Sequence, residues 1–533
     1  MIIMDVRCFN SLARDSNKNS AGNRVIAFYL FIFLFCIYLF TAQGNNIISS
    51  DQQEVRFETT RSIVEKGELA IPDGMGVKGN YGKDYSWYGV GYSVLAIPFY
   101  VIGSLAGGNI GAQGMVSIVN QVVVALSGVI IFSFIASLGY ARKTAFVVTI
   151  FYALGTIAWP QSKHPFDHPV EMLFVLLAIF YAQIFAKSRN VRYILLSSAS
   201  LGFAFLTRPP TVLALPSIFA LLALSRITDF KKEEMVAGIR DCVVYSLAFI
   251  PFLAVQLWYN YARFGSIYET GITLMAEKAG IDFFAGTPLL TGLAGFLYSP
   301  GKGFFYYSPI SILFFLSISG FYRRNKGLAI CIIGIVVSYL LFLSRNIYWH
   351  GDWSWGPRYL FVITPLIILL IADLIERYLW NDGKIFKSAV FILFGLSMLV
   401  QIIGVSVNFI HYFISLQVDK GVQFTSVGGN DVPYILEPPA GTHFEWDKFP
   451  IVYQASSALK IWKGLKDYRF IESNKIYEPD EALKYYLRFN VFDFWWLYAL
   501  YTGAPPYAIL LALLTLSFVM ILSLYRIVTL IRE

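Results

Sequence analysis

Long apolar runs recur along this chain at a length that a lipid bilayer explains and a water-soluble core does not. Segments near the ~20 residues needed to cross a hydrocarbon layer lie at about 25–43, 113–138, 144–160, 169–186, 192–208, 211–226, 242–260, 303–321, 327–345, 358–379, 386–411 and 504–526. With 56% hydrophobic and 14% charged residues over 533 positions, one soluble core is excluded. An α-helical polytopic membrane protein of about twelve transmembrane helices is expected.

The formal charge of +8 points to membrane topology rather than to nucleic acid. Its basic residues form short clusters between apolar runs, at 139–143, 186–192, 225–234, 322–326, 376–384 and after Tyr525. The positive-inside rule assigns these to the cytoplasm, with both termini on that side of the plasma membrane. Arg7, Arg14, Lys18 and Arg24 precede the run from Val25 to Ala42, which has no clear small-residue cleavage site and reads as an anchor. Cys8, Cys36, Cys242 and Cys331 have neither disulfide nor metal spacing. One more apolar stretch, Val90 to Leu105, puts every later basic cluster on the wrong side if it crosses fully. It is expected to be a shallow or re-entrant segment, broken by Gly89, Gly91 and Pro98.

On this topology the outer face collects loop 44–87, the turn at 159–169, the loop 261–302, the turn at 348–358 and a segment of about 412–490. The expected division is a membrane domain over 1–411, with 44–112 as its first outer loop, a small extracytoplasmic cap over 412–492, and a final helix over 493–533. Asp51 follows the first span at the interface, near lysine and arginine. A carboxylate there suits removal of a hydroxyl proton beside a phosphate leaving group. Glu54 is a possible secondary acid, and Glu58 lies close by. Val55, Thr59 and Ile63 favour a short amphipathic helix on the membrane surface.

Other outer loops supply cations and rings. Gly74 to Gly79 formally match G-x-G-x-x-G, but the flanking Pro72 and Asp73 do not form the strand of a dinucleotide fold; a turn presenting Lys83 fits better. The stretch Ser162 to Pro169 holds Lys163, His164, Asp167 and His168. Its H-x-x-x-H spacing is interrupted by Pro165 and Pro169, so no metal is expected. Lys163 and His164 suit a lipid phosphate, with Asp167 orienting a donor or cation. Arg208 offers a planar fork for phosphate oxygens or a snorkelling end. Lys302 sits in a glycine-loosened loop, and Arg358 follows Trp349, Trp353 and Trp355, whose rings could stack on sugar or isoprenoid.

Taken in order, an Asp after the first span, WYGVGYSVLAIPFY (87–100), LTRPP (206–210), YNYARFGSIYETG (259–271), SPGKGFFYYSP (299–309) and WHGDWSWGPRY (349–359) resemble bacterial GT-C glycosyltransferases. These are polyprenyl-phosphate-sugar enzymes related to protein O-mannosyltransferases and lipid A aminoarabinose transferases. The resemblance covers about residues 25–411. It implies the GT-C fold and a metal-independent, inverting transfer from a polyprenyl-monophosphate sugar to a cell-envelope glycan, lipid or protein on the outer face. It also implies Asp51 as base and no cofactor. The chain lacks the K-P-P-L that often opens the shallow segment, which leaves Lys83 as the candidate for that lysine. An O-antigen ligase or polymerase using a lipid-pyrophosphate oligosaccharide is the alternative enzyme, and a transporter the alternative class.

Overall fold

Helices built from the apolar runs stand side by side around one extended hydrophobic core. The computed structural model describes residues 17–43, 51–227, 231–280, 282, 286–381, 383–418, 424–427, 430–433, 440–464 and 491–532. In chain order α1 is Asn17–Phe40, α2 Asp51–Lys66, α3 Gly91–Ser117 and α4 Val119–Ser137. Then come α5 Arg142–Gly155, α6 Ala158–Lys163, α7 His168–Ser188 and α8 Arg192–Thr207, followed by α9 Pro209–Leu224. The second half holds α10 Lys232–Phe264, α11 Gly271–Ala279, α12 Leu289–Tyr298, α13 Phe314–Arg324 and α14 Lys326–Leu343. It continues with α15 Arg358–Leu379, α16 Lys384–Ser406, α17 Ile410–Val418, α18 Pro450–Gly464, α19 Trp495–Tyr501 and α20 Pro506–Arg532. Among the described residues, nine helical segments are long and apolar enough to cross a membrane, and α8, α9 and α12 are shorter apolar helices. The chain is an α-helical polytopic membrane protein.

The bundle has two chemically distinct ends. At one end the basic loops meet. Lys187 donates to the Ser137 carbonyl and Arg324 to that of Gly139. Arg189 reaches Ser225, Arg226 pairs with Asp241, and Lys143 lies over Trp380. Arg142 bonds both Asn23 and the Leu530 carbonyl, so the first and last helices leave the bundle at this end. The other end carries the turns at 163–168, 207–208, 299–302 and 349–358. Alternation of basic and aromatic loops in the sequence thus becomes segregation in space.

The Val90–Leu105 stretch forms the rising arm of a hairpin. α3 breaks at Gly107 and Gly108, the latter at φ +60°, a conformation open to glycine. Gly103 and Gly111 then touch across the turn, where a Cβ on Gly103 falls 2.3 Å from the Gly111 carbonyl oxygen. Gly91 packs on Thr207 at the start, and Asn120, just past the return, donates to the carbonyls of His164 and Phe166. Both ends of the hairpin therefore sit at the aromatic end of the bundle, and the chain changes sides only with α4.

α2 is a helix, as the pattern predicts, but it is packed rather than laid flat. Val55, Arg56, Phe57, Thr59 and Thr60 are buried, and between α2 and α3 the Thr60 hydroxyl donates to the Ser93 carbonyl at 3.2 Å while the Ser93 hydroxyl donates to the Arg56 carbonyl at 3.1 Å. After α2, three two-residue strands pair antiparallel in the order Ala70–Ile71, Asp84–Tyr85, Val77–Lys78. The Gly74–Gly79 stretch lies within this small sheet, where the Gly74 amide donates to Asp84 at 2.6 Å.

Candidate active site

Two proline-controlled helix ends build the centre of the aromatic end. α8 stops at Arg208 because Pro209 and Pro210 cannot continue its hydrogen-bond ladder, and Arg208 takes an extended φ/ψ there. α7 starts after Asp167 with Pro169 in its first turn. The two side chains so released meet, with Arg208 Nη1 3.3 Å from Asp167 Oδ1. On the other side of Asp167, Arg56 of α2 approaches to 3.3 Å, and His168 Nδ1 lies 3.2 Å away. Arg208 Nε also reaches Glu171 at 2.9 Å, one turn into α7. Glu171 accepts in addition from Tyr339 at 3.0 Å and Thr211 at 3.2 Å.

This is a buried polar cluster inside an apolar bundle. Burial alone raises the Asp167 carboxyl, but the Arg56 and Arg208 guanidinium groups outweigh it and hold the group well below the usual carboxylate range. Aromatic rings close the cluster. Arg56 stacks 3.8 Å from the Tyr88 ring centroid, Arg208 faces Tyr359, and Arg358 lies 4.6 Å from Phe166 and 5.2 Å from Tyr359. The Arg208 side chain is 20% exposed against 2% for Arg56. Arg208 is therefore the guanidinium of this pair that a ligand can touch, while the carboxylates behind it fix its plane.

The residues singled out in the sequence divide between this cluster and other duties. Asp51 opens α2, the helix that carries Arg56, and its side chain lies outside the described residues. Glu54 is exposed one turn on. Asp167, Arg208 and Arg358 come together as above, and His164 adjoins them, its ring 5.8 Å from Phe166. Burial pushes the His164 imidazole down to about 4, so it is neutral near pH 7.

Lys163 and Lys302 depart from the expectation of phosphate contact. Lys163 is 2% exposed and donates to the carbonyls of Val405 and Asp493 at 2.6 and 2.5 Å, with the Asp493 carboxylate at 3.3 Å. Lys302 is buried and donates to the carbonyls of Ser354 and Gly356 at 3.0 and 3.3 Å. Each lysine ties one loop to another. Lys83 pairs with Glu68 at 2.8 Å, with both side chains about half exposed. The expected stacking surfaces of Trp349 and Trp355 are likewise spent internally. Trp349 packs on Phe296, His443 and Phe444, and Trp355 packs on Tyr307 and Phe409. Trp353 is half-buried against Phe413, at φ +65°.

Arg56, Glu171, Tyr88, Tyr339 and Tyr359 are cluster members that the sequence reading missed. Glu171 had a usable signal, because a carboxylate inside an apolar span is costly and needs a partner. Within the segment expected as a cap over 412–492, Tyr412 and His443 are buried, and the Tyr412 hydroxyl donates to the Lys448 carbonyl. The segment 491–496 returns to α1, where Trp495 and Trp496 donate to the carbonyls of Leu39 and Phe40.

No protein-family model and no curated protein matches the chain. Among solved structures it is similar to ArnT from Cupriavidus metallidurans bound to undecaprenyl phosphate, at 13% identity and TM-score 0.46, covering 84% of this chain and 71% of that one. It is also similar to the archaeal oligosaccharyltransferase AglB from Archaeoglobus fulgidus in complex with an inhibitory peptide and a dolichol-phosphate. That match has 10% identity and TM-score 0.48, covering 72% of this chain and 55% of that one. The chain thus spans about half the length of AglB.

Proposed function

We propose that the protein is an integral membrane glycosyltransferase that moves a monosaccharide from a polyprenyl-monophosphate carrier to a hydroxyl of a cell-envelope acceptor. The observation that carries this reading is the Arg56–Asp167–Arg208 chain of ion pairs. It fixes the helix that begins at Asp51 to the cations best placed for a phosphate. Asp51 and Arg56 are five residues apart on α2, about 7.5 Å of helical rise. In this reading Asp51 serves as the base and Arg208 holds the leaving group, with α2 and its Arg56–Asp167 pair as the link between them.

In the proposed displacement the acceptor oxygen bonds to the anomeric carbon as the carbon–oxygen bond to phosphate breaks. The hydroxyl proton passes to the Asp51 carboxylate, the electron pair leaves with polyprenyl phosphate, and the configuration inverts. Charge grows on the departing phosphate. A guanidinium held rigid by buried carboxylates therefore stabilises the transition state more than the ground state, by roughly 2 to 4 kcal/mol per well-placed donor. No step passes through a metal. Because the basic loops gather at the opposite end of the bundle, the positive-inside rule assigns this site to the outer face of the cytoplasmic membrane.

The test is transfer by purified protein in lipid from a panel of polyprenyl-monophosphate sugars to envelope acceptors, without added divalent ions. Wild type is expected to act, Asp51→Asn to lose transfer while still binding donor, and Arg208→Ala to bind donor more weakly. Full activity in Asp51→Asn removes the base. Activity confined to pyrophosphate-linked oligosaccharides moves the protein to the ligase class.

A further inference from the structure

A second cluster, apart from the arginine site, joins the cap to the membrane domain. His350 and Asp352 lie in the turn after α14, and His443 lies in a short turn, Ala440–Phe444, that precedes α18. All three are buried, at 5%, 3% and 0% exposure. His350 Nδ1 is 2.9 Å from Asp352 Oδ2, and His443 Nε2 is 3.1 Å from Asp352 Oδ1. His350 Nδ1, both Asp352 oxygens and both ring nitrogens of His443 are buried without a hydrogen-bond partner.

A buried polar atom left unsatisfied costs about 1 to 3 kcal/mol. Four of these five atoms face one another across the two His–Asp contacts, so a cation shared by the three side chains satisfies them together. One ligand atom from each residue lies within 4.8 Å of the others. Around a tetrahedral ion with bonds of about 2.0 to 2.2 Å, ligand atoms stand ~3.3 to 3.6 Å apart. The two His–Asp contacts, 2.9 and 3.1 Å, are a few tenths of an ångström shorter, so small side-chain rotations open them and bring both rings and the carboxylate onto one ion.

The chemistry agrees. Imidazole and carboxylate are donors that a borderline-soft divalent cation accepts. Lys302 stands 3.8 Å from Asp352 Oδ1 while its hydrogen bonds go to backbone carbonyls, so it offsets carboxylate charge from outside the cluster. The two imidazole rings stack at 4.7 Å, and the Gly301 amide donates to the His443 carbonyl, which holds the cap turn against the loop of Lys302.

We propose that His350, Asp352 and His443 bind one first-row divalent cation of the zinc type, and that this ion pins the 440–464 segment to the loop carrying Trp349 to Arg358. Two imidazoles and one carboxylate form a borderline-soft set with room for water as a further ligand. The role is structural, since none of the three residues belongs to the Asp51–Arg208 site.

The test uses the full chain in detergent, with any polyhistidine tag removed, stripped with chelator and then equilibrated with Zn2+. Mass-spectrometric metal analysis is expected to find about one zinc per chain, falling at least fivefold in Asp352→Asn and His443→Ala. His443→Cys, which keeps a ligand, is expected to retain it, as are His164→Ala and His168→Ala. Zinc is also expected to protect the 440–464 segment from protease in wild type, with chelator removing the protection. Failure of wild type to take up zinc, uptake unchanged in Asp352→Asn and His443→Ala, or loss in His168→Ala overturns the proposal. The transfer assay does not enter these readouts, so the metal site and the transferase reading stand or fall separately.

Discussion

Asp167→Asn isolates the electrostatics of the arginine site. The substitution keeps the shape of the side chain but leaves Arg56 and Arg208, each 3.3 Å from the carboxylate, facing a neutral group. One face of the new amide also presents donors to donors. With the Asp167 side chain 3% exposed, solvent cannot replace the lost charge, and breaking such a buried pair costs roughly 3 to 5 kcal/mol. That is more than a hundredfold in the folding equilibrium. Reversible unfolding in mixed detergent micelles, titrated with SDS, measures it. A pH series adds a second signature. The folded-state carboxyl is held below its unfolded value of about 3.9, so its stabilisation is complete above that value and is lost as pH falls through the folded value. Wild type is therefore expected to lose more stability than Asp167→Asn as pH falls below about 4. A destabilisation under about 1 kcal/mol, together with parallel pH profiles for the two proteins, refutes the assignment of Asp167 as the charged link between α2 and α8.

Three further outcomes are expected. Lys163→Met leaves Asp493 buried without its cation, costing about 3 to 5 kcal/mol by the same unfolding measurement, and adding Asp493→Asn recovers at least half of it. Gly91→Ala places a Cβ 2.1 Å from Thr207 Oγ1 and 2.8 Å from the Thr207 nitrogen; a loss of roughly 1 to 3 kcal/mol is expected, measured by SDS titration. Lys83→Ala removes only an exposed pair with Glu68, so its SDS unfolding midpoint is expected to match that of wild type. Donor affinity in the transfer assay is expected to stay within about twofold of wild type, and a tenfold loss restores Lys83 to the phosphate site.

The sequence was most legible where one physical rule acts over many residues. Apolar runs and basic clusters predict helices with their charged loops at one end, and Arg142, Arg189, Arg226 and Arg324 do meet there. The odd status of Val90–Leu105 was readable because a full crossing reverses the charge pattern. Pairing between distant charges was not readable. Lys163 and Asp493 are separated by 330 positions, and no spacing rule links them, so Lys163 looked like a free cation in a loop. Arg56 lies beside the apolar positions Val55 and Phe57, yet which face of α2 is buried depends on α3, whose glycine break sets the packing. Trp349 and Trp355 looked like stacking platforms because ring content does not reveal the glycines they close on, Gly295 and Gly404.

The long separation between Lys163 and its partners gives the fold a clock. During synthesis, at about 5 to 20 residues per second, the ribosome needs roughly 15 to 65 s to travel from Lys163 to Asp493. Throughout that interval the loop next to Asp167 carries an ammonium group whose final bonds to Asp493 cannot yet exist, and α1 waits for Trp495, Trp496 and α20. A nascent chain that stops short of Asp493 exposes an unpaired lysine at the membrane boundary and an uncovered face of its first helix. Both are marks by which a membrane protease can tell an unfinished polypeptide from a mature one.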